Sequence, residues 1–167
     1  MATRDPVGAE SIGVIEAQKM NEEAKKLNDL QSLLKALDIL QTSFSSLANP
    51  TEKQDAEGRR CILHITDLKY HKAAFYFAVE GFRVHQVDPF VKYNTYIGAP
   101  LDSVIRVLTG VLAGDENCFG REWTRGTAQL KGDYSVHDGL QFRNAFKRIA
   151  RAVKRYQDYL AQTHAAL

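Results

Sequence analysis

Histidine side chains are the first candidates for metal chemistry in this sequence, and their spacing argues against it. The five histidines are scattered, and no two of them stand four residues apart as helical metal ligands do. His64 and His85 could come near each other on adjacent strands, but no carboxylate is spaced to complete a ligand set. We therefore predict no metal site.

Catalytic patterns are also missing. Ser135, His137 and Asp138 are of the types found in a catalytic triad, but they stand too close together in the chain to be arranged as one and suit a helix cap better. No glycine-rich phosphate loop of the GxGxxG or GxxxxGK[ST] kind is present. The sequence predicts a protein that is not an enzyme and that holds no cofactor.

Composition and cysteine spacing narrow the class of protein further. Cys61 and Cys118 have no CxxC spacing, and they predict reduced, buried thiols. The chain is 44% hydrophobic and 25% charged with a net charge of +2, as in an ordinary globular protein, so there is no global electrostatic signal for nucleic acid. No apolar run reaches the ~20 residues of a membrane span, and the first residues lack the apolar stretch of a signal peptide. We expect a cytoplasmic location.

Basic residues crowd the last predicted helix. They are Arg143, Lys147, Arg148, Arg151, Lys154 and Arg155. Three interpretations stay open: a solvated helix face whose cations suit the helix dipole, attraction to anionic lipid headgroups, and phosphate contact with nucleic acid. Because no aromatic-interleaved RNA motif supports the third, the sequence disfavours nucleic acid as a partner and leaves peripheral membrane contact open.

Large apolar groups gather between residues 101 and 133. The first of them form a helical stripe made of Leu101, Val104, Ile105 and Leu108. Phe119 and Trp123 follow in a short segment, and a strand-like run then closes on Gly132 and Asp133. Most aromatic residues of the chain also fall between Phe75 and Phe146. Either these side chains fill a core or they line a cavity for a ligand.

The N-terminal part of the chain predicts a helical extension over residues 12–47, with the option of a break near Asn28 and Asp29. Apolar residues recur there three or four positions apart, at Met20, Leu27, Leu30, Leu34, Leu37, Phe44 and Leu47. This stripe suits packing on its own domain, or pairing with a second copy or a partner protein. Because residues 48–58 read as a polar linker, we divide the chain into an extension with linker, 1–57, and a domain, 58–167.

After the linker, the sequence pattern predicts five strands and three helices. Strands are predicted at 61–66, 72–80, 82–87, 93–97 and 126–132. Helices are predicted at 101–112 and 134–162, with a short helix between them that is capped by Asp115 and runs through Cys118 or Phe119. Short turns between the strands indicate antiparallel neighbours. The expected fold is α+β: a five-stranded, mainly antiparallel sheet covered on one face by helices, with an N-terminal helical extension and a long C-terminal helix.

The order of these elements resembles the sterol carrier protein two (sterol-binding) domain family over about residues 60–149. The motifs that carry the resemblance follow one another along the chain. They are the helix start at Gly98, Ala99 and Pro100, the helix segment VIRVLTG at 104–110, the acidic and aromatic stretch Glu116 to Phe119, and the segment GTAQLKGD at 126–133.

The resemblance implies a ligand-binding function without catalytic residues. In that family, helices and a five-stranded sheet enclose an apolar tunnel for sterols, acyl chains or other lipids. Carried over by position, the implied lining is Leu101, Val104, Ile105, Leu108, Phe119, Trp123, Leu130, Phe142 and Phe146. The first hypothesis is therefore non-enzymatic binding of a hydrophobic small molecule or lipid.

The second hypothesis is a structural or interaction subunit. The leucine-rich N-terminal segment, residues 12–47, and the basic C-terminal helix both extend beyond the stretch that resembles the family. They would then bind copies of the chain or a partner protein.

Overall fold

The computed structural model describes residues 6–56, 60–71, 75–124 and 136–165. Its helices are α1 (Pro6–Ser46), α2 (Pro50–Ala56), α3 (Leu101–Leu112), α4 (Cys118–Thr124) and α5 (Val136–Ala165). Its strands are β1 (Arg60–Ile65), β2 (Phe75–Glu80), β3 (Arg83–Gln86) and β4 (Thr95–Ala99). The α+β class is confirmed, and in the described parts of the chain no helix combines the length and apolar character of a transmembrane span.

Helix α1 is one unbroken helix of 41 residues, about 60 Å long. Of the two options, the one with a break near Asn28 and Asp29 is excluded, because the good helix formers on both sides of this pair continue the hydrogen-bond ladder through it. The apolar residues of α1 are buried along one part of the helix and exposed along the other. Leu30, Leu34, Leu37 and Phe44 are buried, whereas Val14, Ile15 and Met20 are exposed.

The predicted linker contains a short helix. Pro50 is the first residue of α2, where its missing N–H costs no helical hydrogen bond. The proline therefore ends one helix and starts the next. The predicted boundary between residues 57 and 58 falls outside the described residues and stays a prediction.

The sheet differs from the predicted one in strand number and in pairing. Among the described residues it has four strands in the order β3-β2-β1-β4. β2 pairs antiparallel with β1 and β3, but β4 pairs parallel with β1, with Leu63 next to Ile97. The prediction of a five-stranded, mainly antiparallel sheet is therefore wrong. The predicted fifth strand, 126–132, lies outside the described residues.

The connection between β3 and β4 explains this mixed sheet. A tight turn at Gly81, with φ of 59°, joins β2 to β3 as predicted. After β3 the chain returns past the hairpin and comes back beside β1, where the N–H of Asn94 donates to the carbonyl of Arg60. β4 therefore starts at the same end of the sheet as β1 and runs parallel to it, although the connection from β3 is short.

The two faces of the sheet have different surroundings. Cys61, Leu63 and Ile65 of β1 point into the hydrophobic core, which also contains buried residues of α1, α3, α4 and α5. The other face carries polar and aromatic groups. There the His64 ring stacks on Tyr76, with ring centroids 4.3 Å apart. The helices that contribute to this core therefore pack on the face formed by Cys61, Leu63 and Ile65.

Candidate functional site

The α3 side chains predicted to line a tunnel belong to the hydrophobic core. Leu101, Val104 and Leu108 are at most 5% exposed. Ile105 is partly buried against the same core. The bounds of α3 are those predicted, and Asp67 fixes its start, because the Asp67 carboxylate accepts a hydrogen bond of 2.8 Å from the N–H of Leu101.

The aromatic residues predicted for the tunnel pack against one another. Phe119 of α4 lies with its ring centroid 6.0 Å from that of Phe142 and 5.6 Å from that of Phe146. All three rings are at most 1% exposed. A ligand in this region would have to enter beside these rings. The side chain of Trp123 and all of Leu130 lie outside the described residues.

Two charged residues of α4 have different surroundings, since Glu122 is buried and Arg121 is exposed. The carboxylate of Glu122 is 3% exposed, and both of its oxygens accept hydrogen bonds from Arg106 of α3, at 2.6 and 3.1 Å. This contact raises the pKa of Arg106. Arg121 is exposed and pairs with Asp115. Arg125 lies outside the described residues.

A groove of about 490 Å³ lies between α1 and the end of the sheet. Its α1 wall is formed by Ala24, Leu27, Asn28 and Gln31. The opposite wall and the end are formed by Leu68, Tyr70, His71, Phe75 and Gln86. We call this cavity the α1 groove. Its volume falls within the range of small-molecule pockets.

Glu23 holds the two walls of the α1 groove together. Its carboxylate accepts hydrogen bonds from the backbone N–H groups of Lys69, Tyr70 and His71, at 2.6, 2.8 and 2.9 Å. The His71 ring nitrogen Nδ1 lies 2.8 Å from the same carboxylate. Burial alone would raise the pKa of Glu23, but these hydrogen bonds stabilise the charged form and lower the pKa to about 2.

Further polar contacts attach this part of α1 to the rest of the chain. The Tyr70 hydroxyl donates to Glu16 of α1. Lys26 of α1 pairs with Asp102 of α3 at 2.9 Å. The outer half of α1 is therefore attached to the domain by polar contacts, whereas the inner half is attached mainly by apolar burial, together with the ion pair of Asp38 and Arg83.

The lining of the α1 groove combines an apolar floor with a polar rim. Phe75 is 3% exposed, and Leu27 and Leu68 are partly buried against the core. The side-chain amides of Gln31 and Gln86 lie at the rim and are exposed. An apolar floor with a few polar groups around it is the usual composition of a small-molecule site.

The basic residues of α5 have several different partners. Arg148 donates to the carbonyl of Gly81 at 2.9 Å and lies over the Phe82 ring. Arg151 donates to Glu116 at 2.6 Å. These cations are thus part of the fold as well as of its surface.

The histidines and cysteines occupy separate environments. His85 lies 2.6 Å from the Glu80 carboxylate, whereas His64 lies 2.8 Å from the Tyr96 hydroxyl and burial lowers its pKa. In the described parts of the chain no three His, Cys, Asp or Glu residues are grouped to hold a metal ion. Cys61 and Cys118 are buried thiols outside any disulfide, as predicted, and burial raises the pKa of Cys118 to about 11.

Comparison with known proteins found no relative of this chain. No protein-family model, no curated protein and no solved structure matches the chain. The resemblance to the sterol carrier domain therefore stays a prediction from the motifs.

The sequence did not lead to a predicted site at the residues that line the α1 groove. Glu23 was a usable signal, because a carboxylate four residues before Leu27 interrupts the apolar stripe on its buried side. Three of its four partners are backbone N–H groups of residues 69–71, and backbone groups leave no pattern in a sequence.

Proposed function

We propose that the protein binds a small amphipathic molecule in the α1 groove. The molecule has an apolar body of the acyl-chain or sterol-like kind and one or two hydrogen-bonding groups. The observation that supports this proposal is the groove itself, with its apolar floor of Leu27, Leu68 and Phe75. Each 100 Å² of apolar surface buried there would contribute about 2.5 kcal/mol.

The polar groups of the groove favour binding over catalysis. Tyr70 and His71 are its titratable lining residues, and both are hydrogen-bonded to carboxylates of α1, Glu16 and Glu23. The amides at the rim can donate to or accept from a hydroxyl or carbonyl of the ligand. The groove would therefore fix the orientation of a ligand without changing it chemically.

Filling the groove tests this proposal. Ala24 lines the groove, so Ala24→Phe should place a ring in it and weaken binding of a fluorescent fatty acid by about tenfold or more, the effect of about 1.4 kcal/mol. Ile39→Phe adds a ring at an exposed position of α1, outside both the groove and residues 13–22, and should bind as the wild type does.

The same experiment separates the α1 groove from the tunnel predicted between α3 and the sheet. Equal affinity in the wild type and in Ala24→Phe would place the ligand elsewhere and overturn the groove. Native mass spectrometry of gently purified protein should show the ligand directly. Absence of any bound molecule, together with no fatty-acid or sterol binding, would contradict the function.

A second candidate function is self-association through the outer part of α1. Val14, Ile15 and Met20 are 44–56% exposed, whereas the leucines further along α1 are buried in their own chain. Residues 13–22 are exposed throughout, so they are the part of the predicted interaction segment left for a partner. Light scattering over a range of protein concentrations tests this candidate.

A further inference from the structure

His71 lines the α1 groove and is held in place by Glu23 of α1. Its backbone N–H donates to Oε2 of Glu23 at 2.9 Å, and its ring nitrogen Nδ1 lies 2.8 Å from the same oxygen. Two contacts to one carboxylate oxygen fix the backbone and the ring together. The ring therefore has a set orientation before a ligand arrives, which lowers the entropic cost of binding.

The Glu23 carboxylate also decides which ring nitrogen of His71 carries the proton. Although burial acts in the opposite direction, hydrogen bonds lower the pKa of Glu23 to about 2, so at neutral pH it is ionised and can only accept. Nδ1 is then the donor to Glu23, and in the neutral ring the lone pair is on Nε2. His71 thus offers a hydrogen-bond acceptor at Nε2.

Nε2 of His71 is accessible at the wall of the α1 groove. In the part of the chain that the structure describes, the buried side-chain atoms without a hydrogen-bond partner are Nε2 of His64 and Oγ1 of Thr95. Nε2 of His71 is not one of them, and among the described residues it has no hydrogen-bond partner. The His71 side chain is 35% exposed, and Glu23, which covers Nδ1, does not line the groove. The accessible edge of the ring is therefore the edge with Nε2.

The other polar lining groups of the α1 groove suit a ligand group that also accepts. The side-chain amides of Gln31 and Gln86 lie at the exposed rim and can donate. The Tyr70 hydroxyl donates to Glu16, so its proton is already used within the fold. A hydroxyl group both donates and accepts, whereas an ether oxygen or an ionised carboxylate only accepts.

Resting on the proposed ligand binding by the α1 groove, we propose that His71 selects a ligand whose head group is a neutral alcohol. The ligand hydroxyl donates to Nε2 of His71, and its oxygen is left to accept from water or from an amide at the rim. An ionised fatty acid keeps the apolar contacts with the floor of the groove, but it has no proton to donate and its oxygens would face the Nε2 lone pair. It therefore binds more weakly than the alcohol.

Three ligands with one alkyl chain and different head groups test this selection on the full chain. They are dodecanol, its methyl ether and dodecanoate, and each is assayed by displacement of a fluorescent fatty acid. Dodecanol should bind about fivefold more tightly than its methyl ether, which is the effect of one net hydrogen bond. Dodecanoate should also bind more weakly than dodecanol.

His71→Asn is the variant that isolates Nε2. The asparagine amide can replace Nδ1 as donor to Glu23, but no atom of it replaces Nε2. His71→Asn should therefore bind dodecanol and its methyl ether equally. His85→Asn makes the same substitution at a histidine that also contacts a carboxylate, Glu80, and does not line the groove, so it should keep the preference of the wild type. Thermal melting confirms that each variant is folded.

Ala24→Phe separates failure of this selection from failure of the groove. Equal wild-type affinity for dodecanol and its ether, tighter binding of dodecanoate than of dodecanol, or an unchanged preference in His71→Asn overturns selection by His71. If Ala24→Phe still weakens the binding of the ligands, the α1 groove remains their site and the proposed function stands. Affinities that Ala24→Phe does not change, or no binding of any of the three ligands, would overturn the selection and the groove together.

Discussion

The side chain of Glu23 fixes the position of the connection that contains residues 69–71. It lies on α1, yet its hydrogen-bond partners are the backbone N–H groups of residues 69–71 and the ring of His71. Backbone donors on that connection would otherwise need water or another acceptor. The carboxylate therefore fixes the far wall of the α1 groove, although it is not among the residues that line the groove.

Loss of this carboxylate should destabilise the protein. Glu23→Ala removes the acceptor of several hydrogen bonds to a charged group and should lower the free energy of unfolding by about 2 kcal/mol. Glu22→Ala removes the same charge at the exposed neighbouring position and should change it by less than about 0.5 kcal/mol. Urea unfolding measures both. Equal stabilities for the two variants would contradict the role of Glu23.

The pH dependence of this effect has a definite sign. Folding lowers the pKa of Glu23 from 4.5 to about 2, so its ionisation stabilises the folded state above the higher value. The contribution is lost as pH falls from the higher value towards the lower one. The stability difference between the wild type and Glu23→Gln should therefore shrink over that interval and stay constant above it.

At the scale of the elements, helices were more predictable than the sheet. The bounds of α3 follow from its own apolar spacing, which lies within one segment. The pairing of β4 with β1 joins segments on either side of the β2–β3 hairpin, and nothing in either strand specifies parallel pairing. The α1 groove was unpredictable for the same reason, because its two walls come from distant segments.

The crossing of α3 and α4 depends on a glycine. A Cβ atom at Gly110 would lie 2.6 Å from the Cβ of Cys118. Gly110→Ala should therefore force the helices apart and cost about 2 kcal/mol. Gly120 of α4 has open space at the same atom, so Gly120→Ala should be neutral or stabilise the protein by up to about 1 kcal/mol. Chemical denaturation of the pair is the measurement, and the prediction fails if Gly110→Ala is as stable as Gly120→Ala.

The whole molecule has a hydrophobic core to which helices and sheet both contribute. Leu30, Leu34 and Leu37 of α1 belong to the same apolar cluster as the strands, α3 and α5. Composition and spacing could predict that α1 is amphipathic. They could not decide whether its stripe meets this chain or another one, since both interiors are equally apolar.

The proposed self-association would pair the outer part of α1 with the same part of a second copy. Antiparallel pairing centred between Met20 and Asn21 would place Lys19 of one copy opposite Glu22 of the other. Lys19→Glu should weaken a dimer several-fold, because it sets like charges opposite each other, and the added change Glu22→Lys should restore it. Sedimentation or light scattering follows the association. A wild-type chain that stays monomeric at all concentrations would rule out this pairing.

The contact between Phe44 and Tyr156, whose ring centroids are 6.0 Å apart, joins the end of α1 to the last helix of the chain. During synthesis, α1 leaves the ribosome long before α5 exists. Its leucine face stays uncovered until the strands are made, and Phe44 stays uncovered until α5 is made. A nascent chain of this protein therefore carries an uncovered apolar helix for most of its synthesis, which is the surface that chaperones bind.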